Sequence, residues 1–195
     1  IAWFQSRYDK EGPAGTGKTR ALLERLYGIC LKARDVRILI CRKTRRSLTE
    51  SVLVTLETKV FPENESAKFG AQRAMRQAYR FPTGSTIVVG GLDNADRIMS
   101  TEYDVIAIFE GTETTENDFE MLLTRLRNGK LPFQQIIVDC NPNVPGHYLN
   151  QRAHAGRMTR LVSVHKDNPT LYDQATGQWT AVGADYIGTL NRLTG

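Results

Sequence analysis

The residues from Gly12 to Thr19 read GPAGTGKT and match the spacing GxxxxGK(S/T). Glycines at these positions let backbone amides approach an anion closely, and a helix that begins beside them adds the positive end of its dipole. Lys18 supplies a mobile positive charge for β and γ phosphates, and Thr19 supplies a hydroxyl for Mg²⁺. The pattern predicts a P-loop that binds a nucleotide such as ATP; the alternative is a flexible glycine-rich turn. Its residues are Gly12, Pro13, Ala14, Gly15, Thr16, Gly17, Lys18 and Thr19.

An acidic residue, Glu110, directly follows the apolar segment 105–109. At the carboxyl edge of a parallel sheet, such a carboxylate faces the ligand crevice. There it can orient and deprotonate the water that attacks a γ phosphate, so we expect Glu110 to be catalytic. The alternative is a solvated glutamate at the junction of a strand and a loop.

The residue before this glutamate is Phe109, where sites of this kind usually have a magnesium-binding aspartate. Metal binding is therefore expected from Thr19, the phosphates and water. Glu113 and Asp139 are possible additional ligands, because carboxylate oxygens suit Mg²⁺.

A third polar group, Asn141, follows the apolar segment 136–138. Its amide could hydrogen-bond the γ phosphate or the attacking water, and so couple hydrolysis to movement. The alternative is an Asn-Pro turn that only ends a strand.

Short β-branched apolar segments predict five buried strands, and leucine spacing between them predicts helices. The alternation of helix and strand favours an α/β fold of the P-loop NTPase type. We expect a three-layer sandwich with a mostly parallel central sheet and helices on both faces. The predicted strands are 36–41, 86–89, 105–109, 136–138 and 161–164, and the predicted helices lie around 22–30, 48–56 and 119–126.

Local signals also predict a hairpin and the start of a helix. Turn residues within 79–86 predict a hairpin, and Thr115 with Asp118 fits a helix capping box.

The residues before the P-loop do not fit the usual pattern. A P-loop normally follows an apolar strand, whereas residues 7–11 are largely charged. Two explanations stay open: residues 2–4 are the remnant of that strand, or residues are missing before the loop.

Length and composition fit one intracellular domain. The 195 residues suit a single domain, and 26 Lys plus Arg against 21 Asp plus Glu give a formal net charge of +5, compatible with nucleic acid. Cys30, Cys41 and Cys140 lack the spacing of a disulfide framework or a zinc site. No apolar run approaches the roughly 18 residues needed to cross a bilayer. We therefore expect a soluble protein.

Six segments occur in a characteristic order: GPAGTGKTRALLE at 12–24, RILICRKTRRSLTESVL at 37–53, YDVIAIFEGTE at 103–113, TRLRNG at 124–129, DCNPNVPGHYL at 139–149 and HKDNP at 165–169. Together they resemble the ATPase domain of the large terminase subunit of tailed bacteriophages. The resemblance implies Mg²⁺-dependent ATP hydrolysis that drives double-stranded viral DNA into a capsid. It also implies a homo-oligomeric ring on the portal, a small terminase subunit as partner, and work in the host cytoplasm without a membrane.

The resemblance also implies an arginine that a ring neighbour supplies to the γ phosphate. Arg97 occupies the corresponding place before the acidic strand. A guanidinium there would neutralise charge on the transferred phosphoryl group. Arg125 and Arg127 are the rivals, and the simplest alternative makes all three surface arginines.

Two further hypotheses concern binding. The basic run Arg42, Lys43, Arg45 and Arg46 could contact the DNA backbone or form a solvated loop. Near the start, Phe4, Gln5 and Arg7 could contact adenine, or Trp3 and Phe4 could belong to the core.

Residues 1–195 are expected to form one ATPase domain. No cluster of acids suggests a nuclease domain in this chain, although a longer parent protein could possess one. Two other functions remain open: a P-loop ATPase of helicase or recombination type, and a nucleotide-binding regulatory switch.

Overall fold

The computed structural model describes residues 5–11, 15–141 and 144–193. Its strands are β1 (Gln5–Glu11), β2 (Arg37–Arg42), β3 (Ala78–Arg80), β4 (Thr86–Gly91), β5 (Val105–Phe109), β6 (Gln134–Cys140), β7 (Thr159–Val162), β8 (Tyr172–Asp173) and β9 (Gln178–Trp179). Its helices are α1 (Lys18–Lys32), α2 (Arg45–Glu50), α3 (Val52–Thr55), α4 (Ala95–Met99), α5 (Glu116–Leu123), α6 (Tyr148–His154) and α7 (Ala181–Leu193). A π-helical turn covers Leu56–Val60, and short 3₁₀ turns include Gly111–Glu113 and His165–Asp167.

Seven strands form one sheet in the order β3-β4-β2-β5-β6-β1-β7. Every neighbouring pair is parallel except β3 and β4, which form the predicted antiparallel hairpin. Strands β8 and β9 make a separate small hairpin. Because parallel strands end at the same edge, the residues that follow β5, β6 and β1 come close together.

Both faces of the sheet are buried, as β2 illustrates. Ile38 and Ile40 pack into one core cluster with α1, α2 and α3, whereas Leu39 and Cys41 pack into another with α5 and α6. Successive side chains of a strand point to opposite faces, so one continuous apolar segment contributes to both clusters. This arrangement confirms the predicted α/β sandwich.

The strand before the P-loop corrects one expectation. Residues 7–11 looked too charged for a buried strand, yet β1 pairs with β6 over all seven of its residues and also with β7. Pairing on both sides satisfies backbone donors and acceptors whatever the side chains are. The doubt about the anchorage of the loop was therefore wrong. Residues 2–4, the proposed remnant strand, lie outside the described residues.

The helix predicted around 48–56 is real but broken. The backbone at Ser51 leaves helical geometry, with φ −120° and ψ −71°, and separates α2 from α3. Arg42 Nη1 donates to the Ser51 hydroxyl at 3.1 Å, and that hydroxyl donates to the Ser47 carbonyl at 2.6 Å. These two hydrogen bonds link the helical segment, at its break, to Arg42 at the end of β2.

The predicted capping box at the start of α5 is confirmed. The Asp118 amide donates to Thr115 Oγ1 at 3.2 Å, and the Thr115 amide donates to Asp118 Oδ2 at 2.8 Å.

All three cysteines are buried free thiols. Within the described ranges, none of the helices is both long enough and apolar enough to span a bilayer.

Candidate functional site

The described part of the P-loop has the geometry that its glycines predict. Gly15 and Gly17 adopt φ of 83° and 81°, in the left-handed region that favours glycine, and Gly17 caps α1. Helix α1 begins at Lys18, so its positive end lies at the loop. The first three residues of the motif, 12–14, lie outside the described residues.

One pocket of about 600 Å³ unites the described part of the P-loop with Glu110 and Asn141, but not with Arg97. It brings the P-loop, which follows β1, together with Glu110, which follows β5, and Asn141, which follows β6. The described lining residues are Gly15, Thr16, Gly17, Lys18, Thr19, Arg20, Thr55, Lys59, Glu110, Asp139, Cys140, Asn141 and Asn168. The Lys18 ammonium and the Glu110 carboxylate therefore share a cavity, as the sequence hypothesis required.

Lys18 contacts Asn141 directly. Its side chain is buried, and Nζ donates to Asn141 Oδ1 at 3.2 Å. A charged donor makes this a stronger bond than one between neutral groups. Any anion that approaches Lys18 in this pocket would compete with Asn141 for the ammonium.

A carboxylate from β6 lies beside Thr19. The Thr19 hydroxyl donates to Asp139 Oδ2 at 2.5 Å, and Asp139 is 4% exposed. Phe109 pairs with Asp139 in the sheet, so the neighbouring strand supplies the acid that Phe109 does not. These oxygens fit the ligand preference of Mg²⁺.

The other carboxylate considered for the metal, Glu113, is used elsewhere. It forms a bidentate pair with Arg42, at 2.9 Å from Nε and 2.7 Å from Nη2, and does not line the pocket. In the described parts of the chain, no group of three or more His, Cys, Asp and Glu side chains could hold a metal. A magnesium ion here would need phosphate and water oxygens as well.

Glu110 is half-buried in an unusual backbone conformation. Its φ of 51° lies in the left-handed region, which is uncommon for a residue with a side chain. The following turn passes so close to β6 that a Cβ on Gly111 would lie 2.1 Å from Val138 Cγ1. The strand end and the tightly packed turn therefore restrict the backbone from which the Glu110 side chain projects.

Burial raises the pKa of Glu110 above its ordinary value. The positive charge of Arg42 opposes this shift, the negative charges of Asp139 and Glu113 add to it, and Lys18 opposes it. A carboxylate with a raised pKa is a better proton acceptor, which suits a general base.

The arginines considered for the γ phosphate lie away from this pocket. Arg97 is exposed in α4 and lines a separate cavity of about 410 Å³ with Arg45 and Asp93. Arg125 Nε donates to its neighbour Thr124, and Arg127 pairs with Glu102 at 2.8 Å. None of the three lines the pocket that contains Lys18 and Glu110.

The basic run after β2 makes intramolecular contacts. Arg42 pairs with Glu113, and the Lys43 ammonium lies 2.9 Å from Asp118. The other two members have partners as well: Arg45 donates to the Arg76 carbonyl at 2.5 Å, and Arg46 pairs with Glu50 at 2.9 Å.

The adenine hypothesis involves Phe4, Gln5 and Arg7. Phe4 lies outside the described residues, and of Gln5 and Arg7 only the backbone, as part of β1, is described.

Sequence reasoning gave no role in the pocket to five of its lining residues: Arg20, Thr55, Lys59, Cys140 and Asn168. Thr55 ends α3 and Lys59 belongs to the π-helical turn, so both depend on how the broken helix packs. Asn168 lies in the segment HKDNP, whose residue types alone indicate no contact with the P-loop. Its contact with the loop spans 153 residues of sequence, and no local pattern indicates such a contact.

The chain is similar to large terminases of phages both in sequence pattern and in fold. The family model described as phage terminase large subunit matches residues 10–182. Among curated proteins, no sequence matches the chain significantly. Two crystal structures of the large terminase from a thermophilic bacteriophage match its fold. One has a TM-score of 0.70 at 16% identity, and the other, in complex with ADP, has 0.68 at 15% identity. Each match covers 87% of this chain and 43% of that one.

The HK97 bacteriophage large terminase is also similar, with a TM-score of 0.60 at 10% identity over 96% of this chain and 43% of that chain. At these identities the likeness shows the fold. This chain spans less than half the length of these solved terminases. The family model, in contrast, matches most of the sequence, and the chain belongs to the phage terminase large subunit family.

Proposed function

We propose that this chain is the ATP-hydrolysing module of a large terminase, and that Mg²⁺-dependent hydrolysis drives double-stranded viral DNA into a capsid. Membership of the family supports this function. The observation that carries it is that Lys18, Glu110 and Asn141 line the same pocket. A phosphate loop, a carboxylate and an amide at one sheet edge are what hydrolysis coupled to movement requires.

In this proposal the P-loop holds the triphosphate and Glu110 activates water. The loop amides and Lys18 bind the β and γ phosphates, and ADP and inorganic phosphate are the products. Glu110 accepts a proton from the attacking water, and its raised pKa favours that transfer. Its half-buried position limits the water that competes for the carboxylate.

Thr19 and Asp139 are the proposed protein oxygens near the metal. Their hydrogen bond of 2.5 Å holds both groups beside the phosphate loop. Thr19 and Asp139 would help to hold a Mg²⁺ ion, which would supply positive charge against the charge that develops on the phosphates. Asp139 then fulfils, from β6, the part that Phe109 leaves open on β5.

Asn141 is the proposed link between hydrolysis and movement. In the described structure it accepts from Lys18, so a bound γ phosphate would draw the ammonium away and release the amide. Release of phosphate would restore the contact. The segment that follows Asn141 would thus experience two alternative states during one cycle.

The proposed partners extend beyond one chain. We infer a homo-oligomeric ring on the portal, with a small terminase subunit as a further partner and the host cytoplasm as the place of assembly. In such a ring, Arg97 of one subunit would reach the γ phosphate in the pocket of the next. The location of Arg97 outside its own pocket favours this arrangement.

The test of the catalytic role is Glu110→Gln. The amide keeps the size of the side chain but cannot accept the proton, so ATP hydrolysis should fall by about 10²-fold or more while nucleotide affinity stays close to that of the wild type. ATP turnover and ADP affinity measured on the same preparations check this. Glu102→Gln, on the surface beside Arg127, is the matched control and should hydrolyse ATP normally.

Undiminished turnover by Glu110→Gln would reject the proposed base. The stimulus for hydrolysis separates the wider alternatives. A packaging motor should respond to protein concentration and to the portal, a helicase to single-stranded DNA, and a regulatory switch to none of them.

A further inference from the structure

Asn168 touches the P-loop from a distant part of the sequence. Its Nδ2 donates to the Gly15 carbonyl at 2.7 Å, and the side chain lines the nucleotide pocket. It lies just after the 3₁₀ turn His165–Asp167, within the segment HKDNP, to which the proposed function assigns no task. The contact joins the end of this segment to the first described residue of the loop.

The Asn168 side chain is held in one orientation. Its Oδ1 accepts from the Thr170 amide at 3.0 Å, while its backbone carbonyl accepts from the Leu171 and Tyr172 amides, both at 2.9 Å. Because Oδ1 faces an N–H group, the NH₂ group must be the part that faces Gly15. The carboxamide is therefore a fixed donor.

Two more side chains from the same region flank the loop. Ser163 Oγ donates to Thr16 Oγ1 at 3.0 Å. A Cβ on Gly15 would lie 2.7 Å from the Tyr186 hydroxyl, so α7 packs directly against the loop. Asn168 thus makes one of three contacts that flank Gly15 and Thr16.

We propose that Asn168 is a positioning residue of the nucleotide site. In a trans peptide, the carbonyl and the following N–H point in opposite directions. By fixing the Gly15 carbonyl, Asn168 sets the direction of the Thr16 N–H, one of the amides available to a bound phosphate. The inference rests on the proposed nucleotide site and assigns to the HKDNP segment the task of shaping it.

Two variants of Asn168 separate this role from its alternatives. Asn168→Asp retains the acceptor for the Thr170 amide but removes the donor to Gly15. Asn168→Ala removes both without adding charge. If Asn168 positions the loop, both should bind ADP more weakly, the alanine variant by about threefold to tenfold, the range that one hydrogen bond supports. The aspartate variant should lose more, because its charge repels phosphate.

The kinetic signature is a rise in KM for ATP with kcat changed much less, since Asn168 does not touch the reacting atoms in this proposal. Calorimetric titration of the 195-residue chain with ADP gives the affinity, and thermal unfolding shows whether each variant folds. Asn150→Asp is the matched control. Asn150 Nδ2 donates to the Val144 carbonyl at 2.8 Å and its Oδ1 accepts from Arg160, outside the nucleotide pocket.

Each other outcome overturns the inference in a distinct way. Weak binding by the alanine variant alone would assign Asn168 to the local turn, and weak binding by the aspartate variant alone would reduce its effect to charge. Wild-type affinity in both variants would show that the contact is dispensable. If the wild-type chain itself binds neither ADP nor ATP, the proposed function fails together with the inference.

Discussion

At the scale of the residue, the proposed hydrolysis depends on the ionisation of one carboxylate. Glu110 must be charged to accept a proton, although burial raises its pKa. Arg42 is the strongest of the influences that oppose this shift, and it is held by its bidentate pair with Glu113. A residue that does not line the pocket therefore favours the charged form of Glu110.

Replacing Arg42 should move the pH dependence of hydrolysis. Because the carboxylate is the active form, the rate should fall as pH falls through the pKa of Glu110, which lies above the ordinary glutamate value. Arg42→Gln removes a positive charge that lowers this pKa and leaves Glu113 without its partner. The acid limb of kcat/KM should therefore shift to higher pH. Profiles of the wild type and the variant, measured at the same salt concentration, check the direction.

Arg46→Gln provides the control, since Arg46 pairs with Glu50 on the exposed face of α2. Its profile should superimpose on that of the wild type. An acid limb in Arg42→Gln that stays in place or moves to lower pH would contradict the electrostatic role of Arg42.

At the scale of the element, the strongest sequence signals were those with a local cause. The β-branched segments of β2 and β5, the 79–86 hairpin and the capping box of α5 were all predicted and confirmed. Strand β6 is longer than the predicted 136–138 at both ends: it continues to Cys140, and it starts at Gln134 and Gln135, which are buried polar residues. Arg25 donates to Gln135 Oε1 at 2.7 Å, a compensation that comes from another element and that hydropathy cannot show.

The site was predictable to the same extent. The motif indicated the loop, and the acid after an apolar strand indicated Glu110, since both signals are contiguous in sequence. The hydrogen bond of Asn168 to Gly15 and the contact of Tyr186 with the same glycine arise only when the end of the chain packs on its beginning. Likewise, the pairing of β1 with both neighbours depends on backbone groups that every residue carries.

Helix α7 allows this packing to be tested with two glycines. A Cβ on Gly183 would lie 1.9 Å from the Leu171 carbonyl oxygen, whereas one on Gly188 would meet nothing within 4 Å. Gly183→Ala should therefore displace α7 from Leu171 and lower the thermal stability. Gly188→Ala, in the same helix, should raise the free energy of unfolding by about 0.5–1 kcal/mol, because alanine restricts the unfolded chain.

Thermal unfolding and amide hydrogen exchange within 181–193 compare the two variants. Exchange in this helix should become faster in Gly183→Ala and should not in Gly188→Ala. Equal stability and equal exchange in both would mean that α7 does not depend on its contact with Leu171.

At the scale of the whole molecule, strand order explains which groups can meet. In the order β5-β6-β1, three adjacent strands present Glu110, Asn141 and the P-loop at one edge. Helix α4 follows β4 in the chain, and β4 lies four strand spacings from β1. At about 4.8 Å per spacing, that separation is roughly 19 Å. Arg97 is therefore well separated from the loop of its own chain.

The position of Arg97 leads to a prediction about mixed assemblies. Arg97→Ala should lose about 10³-fold or more in ATP hydrolysis, in the range known for arginines that neutralise a transferred phosphoryl group. Mixing it with Glu110→Gln should restore part of the activity, because some interfaces then combine an intact Glu110 in one subunit with an intact Arg97 in the next. Turnover measured against the mixing ratio should pass through a maximum, since neither variant alone contains such an interface. Arg127→Ala, which removes a surface pair with Glu102, should keep normal activity by itself. A mixture no more active than its components would argue against action between subunits, and loss of activity in Arg127→Ala would favour that rival.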